Sequence, residues 1–253
     1  MSHAWQLQVG QFLLPKEGAE AAECEDAIGV NLAAARFAVA DGATEAFDAR
    51  SWARHLAEGW VAAEPPALTR EAFGAWVAGQ GSALHESWQG RTLSWYAEEK
   101  ARRGSFAAFV GVQFELTNGA PRWTALALGD SCLIQRRGRA VCHALPVADH
   151  QRFTSTPLLV PSLGQLHEAA LGQTLVERGA FEPTTDVLWL LSDATAEWFL
   201  KRAAERDEVL DELDRFAAAE RAADLTALFQ QERRARRIKD DDVAVVRITL
   251  SAV

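Results

Sequence analysis

The sequence predicts an α+β fold in which antiparallel sheets are covered by helices. Two observations carry this. Apolar, strand-like runs and helical periodicities fall in the order strands, helices, strands, helices, strand, not in the strict alternation of a parallel doubly wound sheet. Short turn signals, Asn118-Gly119, Gly129-Asp130 and Arg137-Gly138, separate the central runs, and Asn-Gly tolerates the positive φ of a tight hairpin.

The elements follow in order. Trp5–Leu14 alternates in part, and Ala27–Leu32 and Arg36–Ala40 are short apolar runs bounded by acidic or glycine residues. Asp48 is placed to cap a helix in which Trp52, Leu56 and Trp60 recur every four residues and form one apolar face. A second helical region runs from about Thr69 to Arg102, with a break expected near Gly79–Gly81. Strands return at Phe106–Leu116, Arg122–Leu128, Cys132–Arg136 and Ala140–Leu145. The stretch 146–166, with Pro146, Pro157, Pro161 and Gly164, reads as a long loop inside one domain spanning 1–253, because strand-like runs flank it. Asp186–Leu191 is a short apolar run, residues 194–203 and 207–235 read as helices, and Val243–Leu250 is a final strand.

Bulk properties narrow the function. The chain has 253 residues, 49% hydrophobic and 24% charged, enough to bury a sizeable core. A net charge of −9 disfavours general nucleic-acid binding, although bound metal can reverse the sign locally. Cys24, Cys132 and Cys142 are odd in number and have no C-x-x-C spacing, which fits a reducing compartment better than a disulfide framework. The first residues lack the pattern of a secretory signal, and no apolar run has the length of a membrane span. The expectation is a cytoplasmic monomer without nucleic-acid or membrane partners.

The position of the acids is the most informative feature. Glu25-Asp26 precedes one apolar run, Asp41 ends another, Asp130 and Asp193 follow two more, and Asp240, Asp241 and Asp242 precede the last. If these strands share one edge, their carboxylates converge, and a cation must offset the repulsion. Oxygen-only ligands suit Mg²⁺ or Mn²⁺, and a pair of such ions supports hydrolysis of a phosphoester. Each aspartate alone also suits a turn or a helix cap; Asp193 and the pair Asp41-Gly42 are examples.

Taken in order, Glu25-Asp26-Ala27, Val39-Ala40-Asp41-Gly42, Gly104-Ser105, Gly129-Asp130-Ser131, Asp149-His150, Leu191-Ser192-Asp193 and Asp240-Asp241-Asp242-Val243-Ala244-Val245 resemble the protein phosphatase 2C family over nearly the whole chain. The resemblance implies a four-layer αββα sandwich and metal-dependent hydrolysis of phosphoserine or phosphothreonine in proteins. It implies two Mn²⁺ or Mg²⁺ ions, with Asp130 helping to form a weaker third site. Asp41 would bridge the two ions, the Gly42 carbonyl would bind one, and Asp193 and Asp241 the other. Asp41, Asp193 and Asp241 are thus the expected catalytic set. Asp26 would bind directly or through water, and Glu25 would hold waters. Asp242 would take the position after the ligand, and a one-residue slip between them stays open. Partners would be a phosphoprotein substrate, and a Ser/Thr kinase or its targets.

The sequence departs from that pattern in three places. Ala43 replaces a histidine proposed as general acid, which leaves water, Thr44 or another histidine to protonate the leaving group. No arginine lies in Gly18–Cys24 to clamp phosphate, and Lys16 is the candidate substitute. Ala194 replaces a glycine after Ser192-Asp193. These departures keep open a second class, a catalytically weak phosphoprotein-binding or regulatory domain on the same scaffold. Among other residues, His150 and His55 read as structural, and Cys132 as buried filler. The basic cluster Arg233, Arg234, Arg236, Arg237 and Lys239 reads as a helix C-terminus, with substrate docking as the alternative.

Overall fold

The structure, a computed structural model, describes residues 5–62, 67–116, 120–164 and 167–252. The turn expected at Asn118-Gly119 lies outside the described residues. Eleven strands among them form two sheets. The first holds β1 (Trp5–Leu14), β11 (Val243–Ala252), β10 (Asp186–Leu191), β6 (Cys132–Arg137) and β7 (Ala140–Leu145), side by side in that order. The second holds β2 (Asp26–Asn31), β3 (Arg36–Gly42), β4 (Phe106–Glu115), β5 (Arg122–Leu128) and β9 (Leu175–Ala180), with the two-residue β8 (Val160–Pro161) paired to β4. Neighbouring strands run antiparallel throughout.

The alternation of side chains across each strand separates three cores. In β10, Leu188 and Leu190 point between the sheets, where they meet Phe37, Val39, Val110 and Val112. Trp189 and Leu191 point the other way, onto α5 (Asp193–Glu205), α6 (Val209–Ala218) and α7 (Ala222–Arg234). The outer face of the second sheet carries Ala38, Ala40 and Phe109 beneath α1 (Ala49–Val61) and α2 (Arg70–Trp88). The layers are therefore helix, sheet, sheet, helix, the predicted αββα sandwich. Strands buried on both faces read as unbroken apolar runs, which is why β3 and β10 stand out in the sequence without alternation.

Two glycines set how closely the helices approach. A Cβ on Gly29 of β2 would lie 2.2 Å from the Ala57 carbonyl oxygen of α1, and one on Gly10 of β1 would lie 2.1 Å from that of Ala217 in α6. Trp52, Leu56 and Trp60 of α1 are fully buried as the four-residue spacing requires. Trp52 Nε1 donates to the Val160 carbonyl at 2.9 Å, so burial of the indole leaves no orphaned donor.

Several element boundaries differ from expectation. The second helical region is not broken at Gly79–Gly81. Gly81 sits inside α2 where a Cβ would come 2.2 Å from the Ser162 carbonyl oxygen, so glycine serves close packing there. The interruption falls later, before α3 (Trp95–Arg103), whose N-cap Ser94 accepts from the Ala97 backbone. The stretch 207–235 is two helices, separated around Glu220 in the left-handed region. Asp48 occupies the N-cap of α1 without a side-chain cap; its Oδ2 instead accepts from Trp88 Nε1 at 2.9 Å and pairs with Arg91. Tryptophan is core material in most cases, but Trp95 is 77% exposed. Within the 146–166 excursion and just after it lie β8, α4 (His167–Leu171) and β9. No described helix is long and apolar enough to cross a membrane.

Candidate metal centre

Strand pairing brings distant acids to one edge of the sandwich. Asp26 opens β2 and Asp41 lies near the end of β3, and the antiparallel register makes them direct Cα partners. Residues directly opposite in a ladder project to the same face, so the two carboxylates leave the sheet together. Asp193 is the first residue of α5, reached straight from β10, and Asp241 lies just before β11 in the adjoining strand of the other sheet. Asp130 sits where the chain leaves the second sheet for the first, after Gly129 at φ 108°. A Cβ on Gly129 would lie 2.5 Å from that of Ala108, so only glycine lets the crossover run against β4.

Burial and then mutual repulsion hold the pKa values of these groups above the ordinary carboxylate range. Burial raises the Asp26 pKa well above the ordinary carboxylate value, and Asp242, Asp193 and Asp241 push it further, against a lowering contribution from Ser192. Burial likewise raises Asp41, with Asp26, Asp193, Asp241 and Asp130 adding to it. Asp130 is pushed up to about 7 by burial and then by Asp193. Asp241 is raised by burial, Asp193 and Asp242, offset in part by a backbone hydrogen bond and by Lys16. Asp26 is 3% exposed, and its Oδ2 has no hydrogen-bond partner. A buried carboxylate oxygen left without a donor is costly unless something positive meets it.

The three terminal acids divide their work. Asp242 is 4% exposed, and its Oδ1 and Oδ2 accept from the backbone N–H groups of Lys16 at 2.8 Å and Glu25 at 2.7 Å. Asp240 Oδ1 accepts from the Glu17 N–H at 2.9 Å. Asp241 uses Oδ1 for the Asp242 N–H at 2.9 Å, and among the described residues its Oδ2 takes no hydrogen bond. Asp240 and Asp242 thus tie the 15–25 turn in place, and Asp241 is the member of the triplet left to face the other carboxylates.

Gly42 follows Asp41 where the strand turns toward α1. A Cβ there would lie 2.7 Å from the Ala49 carbonyl oxygen and 3.0 Å from that of Glu25. The Gly42 N–H donates to the Glu25 carbonyl at 3.2 Å. Glu25 also gathers the two expected substrate-binding residues: its Oε2 accepts from Thr44 Oγ1 at 2.6 Å and lies 3.5 Å from Lys16 Nζ. Burial lowers the Lys16 pKa, but Glu25, Asp242 and Asp241 outweigh it and the net shift is upward, so the ammonium stays charged.

Two members of the basic cluster reach this edge from the end of α7 and just beyond it. Arg233 of α7 has a side chain 6% exposed; it donates to the Pro15 carbonyl at 3.0 Å and to the Asp241 carbonyl, and its Nε lies 3.5 Å from Asp240. It therefore fixes the backbone on which Asp241 is carried. Lys239 pairs with Glu197 at 2.7 Å and bears electrostatically on Asp193 and Asp130. Other candidates stand apart from the chemistry. Cys132 is fully buried, donates to the Asp130 carbonyl at 3.2 Å, and has a thiol pKa raised by burial, as filler should. Cys24 is likewise raised to about 12, mainly by burial. His150 lies on a short 3-10 turn, 3.5 Å from Asp149.

The donor set fits a hard divalent cation. It offers buried carboxylate oxygens, one of them orphaned, and thiols that stay protonated. Among the described residues, no three His, Cys, Asp or Glu side chains are already gathered closely enough to enclose an ion. Burial first, and mutual repulsion second, raise the pKa values of these acids, and a bound cation would offset both.

The fold is that of the PPM-type serine/threonine phosphatases. The photosystem II phosphatase PBCP superposes with a TM-score of 0.61 at 18% identity, covering 98% of this chain and 100% of that one. The catalytic domain of the serine/threonine phosphatase PstP, in complex with 2 manganese ions, gives 0.59 at 18%, covering 97% and 99%. PppA, a key regulatory component of the T6SS in Pseudomonas aeruginosa, gives 0.59 at 15%, covering 98% and 100%. No protein-family model matches the sequence, and no curated protein does.

Proposed function

We propose that the chain is a metal-dependent phosphatase that hydrolyses phosphoserine or phosphothreonine in proteins. The observation that carries this is the convergence of Asp26, Asp41, Asp193 and Asp241, drawn from both sheets, with an orphaned buried oxygen on Asp26. Asp41, Asp193 and Asp241, with Asp26 and the Gly42 carbonyl, would hold two Mn²⁺ or Mg²⁺ ions, and Asp130 would contribute to a weaker third. Bound divalent cations supply charge neutralisation and lower the pKa of water, the two needs of phosphomonoester hydrolysis at neutral pH.

The chain's own residues supply the rest. Glu25 orients water at the edge and anchors Thr44 and Lys16. Lys16 has three donors and only a 3.5 Å contact with Glu25, so it can meet a phosphoryl oxygen where an arginine is missing. The Thr44 hydroxyl donates its hydrogen bond to Glu25 and Ala43 has no proton to give, so proton delivery to the leaving oxygen falls to water. Superposition on PstP with manganese supports this reading at the level of the fold.

The test is turnover of an aryl phosphate and of a phosphothreonine peptide with Mn²⁺, before and after chelation. Turnover that ignores the chelator would sink the proposal. A second reading, a phosphoprotein-binding or regulatory domain, draws on Ala43 and on the open spacing of the acids. Calorimetric titration with Mn²⁺ separates the two, because a binding module takes up no metal at the carboxylates.

A further inference from the structure

A groove of about 370 Å³ runs beside the acidic edge, and its wall includes Ala194 and Asp240, the sequence neighbours of Asp193 and Asp241. In a chain of net charge −9, this wall collects five cations against Glu197 and Asp240. Three of the five are committed: Arg233 to the Asp240–Asp241 turn, Arg237 to Glu232, and Lys239 to Glu197. Lys201 and Arg236 form no ion pair among the described residues.

Their placement follows from the helices. Asp193, Glu197 and Lys201 recur every four residues on α5 and share one face. At 1.5 Å of rise per residue, Lys201 stands roughly 12 Å along the helix from Asp193. At the end of α7, Arg236 takes φ 54°; its N–H donates to the Arg233 carbonyl at 2.8 Å, and the Arg237 N–H to the Glu232 carbonyl at 2.9 Å. This Schellman closure turns the chain so that consecutive cations line the groove.

We propose that the groove binds an acidic segment of the phosphoprotein substrate, with Lys201 and Arg236 as its specificity-determining residues. The inference rests on the phosphatase reading for where the phosphoryl group sits. An extended peptide advances about 3.3 Å per residue, so roughly four residues separate a phosphoresidue at the carboxylates from one at Lys201. The preferred substrate therefore carries Glu or Asp three to four positions from the phosphoresidue.

The experiment compares a neutral phosphothreonine peptide with versions bearing two glutamates three and four positions away, on either side, in the presence of Mn²⁺. The acidic peptide on one side should show a KM lower by about tenfold at low salt, fading as salt rises. The double variant Lys201→Glu, Arg236→Glu should abolish that preference and leave the neutral peptide and an aryl phosphate unchanged. Preference retained in the variant, or equal damage to both peptides, overturns the proposal. Fluorescence anisotropy of the unphosphorylated acidic peptide on metal-free protein reads the groove without catalysis. Binding lost in the variant supports the groove even where no turnover occurs, and then only the phosphatase reading fails. No binding in that assay, or an equally tight single-stranded oligonucleotide of the same charge, overturns the assignment to an acidic peptide.

Discussion

Asp26 and Asp41 face each other as register partners at the open end of the β2–β3 hairpin, an arrangement of like charges that weakens a ladder. Everything proposed for this edge turns on that pairing, because it places two acids from one sheet where two from the other arrive.

Neutralising either partner should separate stability from function. Asp41→Asn is expected to raise the melting temperature of the metal-free chain and to lower metal-dependent turnover more than about a hundredfold. Scanning fluorimetry with and without Mn²⁺, alongside an aryl phosphate assay, checks both. A lower metal-free melting point with unaltered metal response would contradict the crowding described here.

The pH dependence of stability follows from Asp130. Its folded pKa is about 7, against an ordinary carboxylate value of 3.8, so between those limits the folded chain holds a proton that the unfolded chain has released. Stability therefore rises as pH falls through 7 toward 4, and declines as pH rises through 7. The metal-free protein should melt higher at pH 6 than at pH 8, by several degrees, and Asp130→Asn should reduce the difference, the remainder coming from Asp26, Asp41 and Asp241, which are raised too. Identical slopes for the two proteins would refute it.

Arg233 connects α7 to the Asp240–Asp241 turn and to Pro15. Arg233→Ala leaves two carbonyls without a donor and should cost about 2–4 kcal/mol. Its specific mark is weakened Mn²⁺ affinity, which Arg233→Lys should restore in part, since one ammonium reaches fewer acceptors than the guanidinium fork. Calorimetric titration at a temperature where all three proteins are folded distinguishes this from a loss of stability alone.

Gly10 and Gly29 occupy equivalent positions on the two outer faces, each against a helix carbonyl. Gly29→Ala and Gly10→Ala should each lower stability by at least about 1–3 kcal/mol by levering a helix off its sheet. Chemical denaturation measures this, and a neutral effect at both positions would mean that the helices yield more easily than their packing indicates.

The layered fold was legible because doubly buried strands announce themselves as apolar runs, as at Phe37–Ala40 and Leu188–Leu191. β9 was not, because an edge strand reading Leu-Val-Glu-Arg-Gly-Ala shows neither alternation nor a run. Gly81 misled, since a glycine required for close approach looks the same in sequence as one that ends a helix. At the site, acids flanking strands were visible one by one. The resemblance favoured Asp241 among the three terminal acids but left a one-residue slip open, because what separates Asp241 from Asp242 is backbone N–H groups more than two hundred residues earlier. Arg233 was visible as part of a basic cluster, but its anchoring role was not, because two of its partners are carbonyls, which have no letter in a sequence.

The pairing of β1 with β11 has a consequence for how the protein comes into being. β1 lies at the edge of its sheet and, among the described residues, hydrogen-bonds to no strand but β11. During synthesis on the ribosome, residues 5–14 therefore wait, unpaired, until residues 243–252 have emerged. The β2–β3–β4–β5 pairings can settle earlier, since they close by residue 128, and β8, α4 and β9 complete that sheet and the core under α1 and α2 afterwards. The Asp242 anchors arrive with that same late strand, so a nascent chain completes its acidic cluster only once residues 240–242 have emerged.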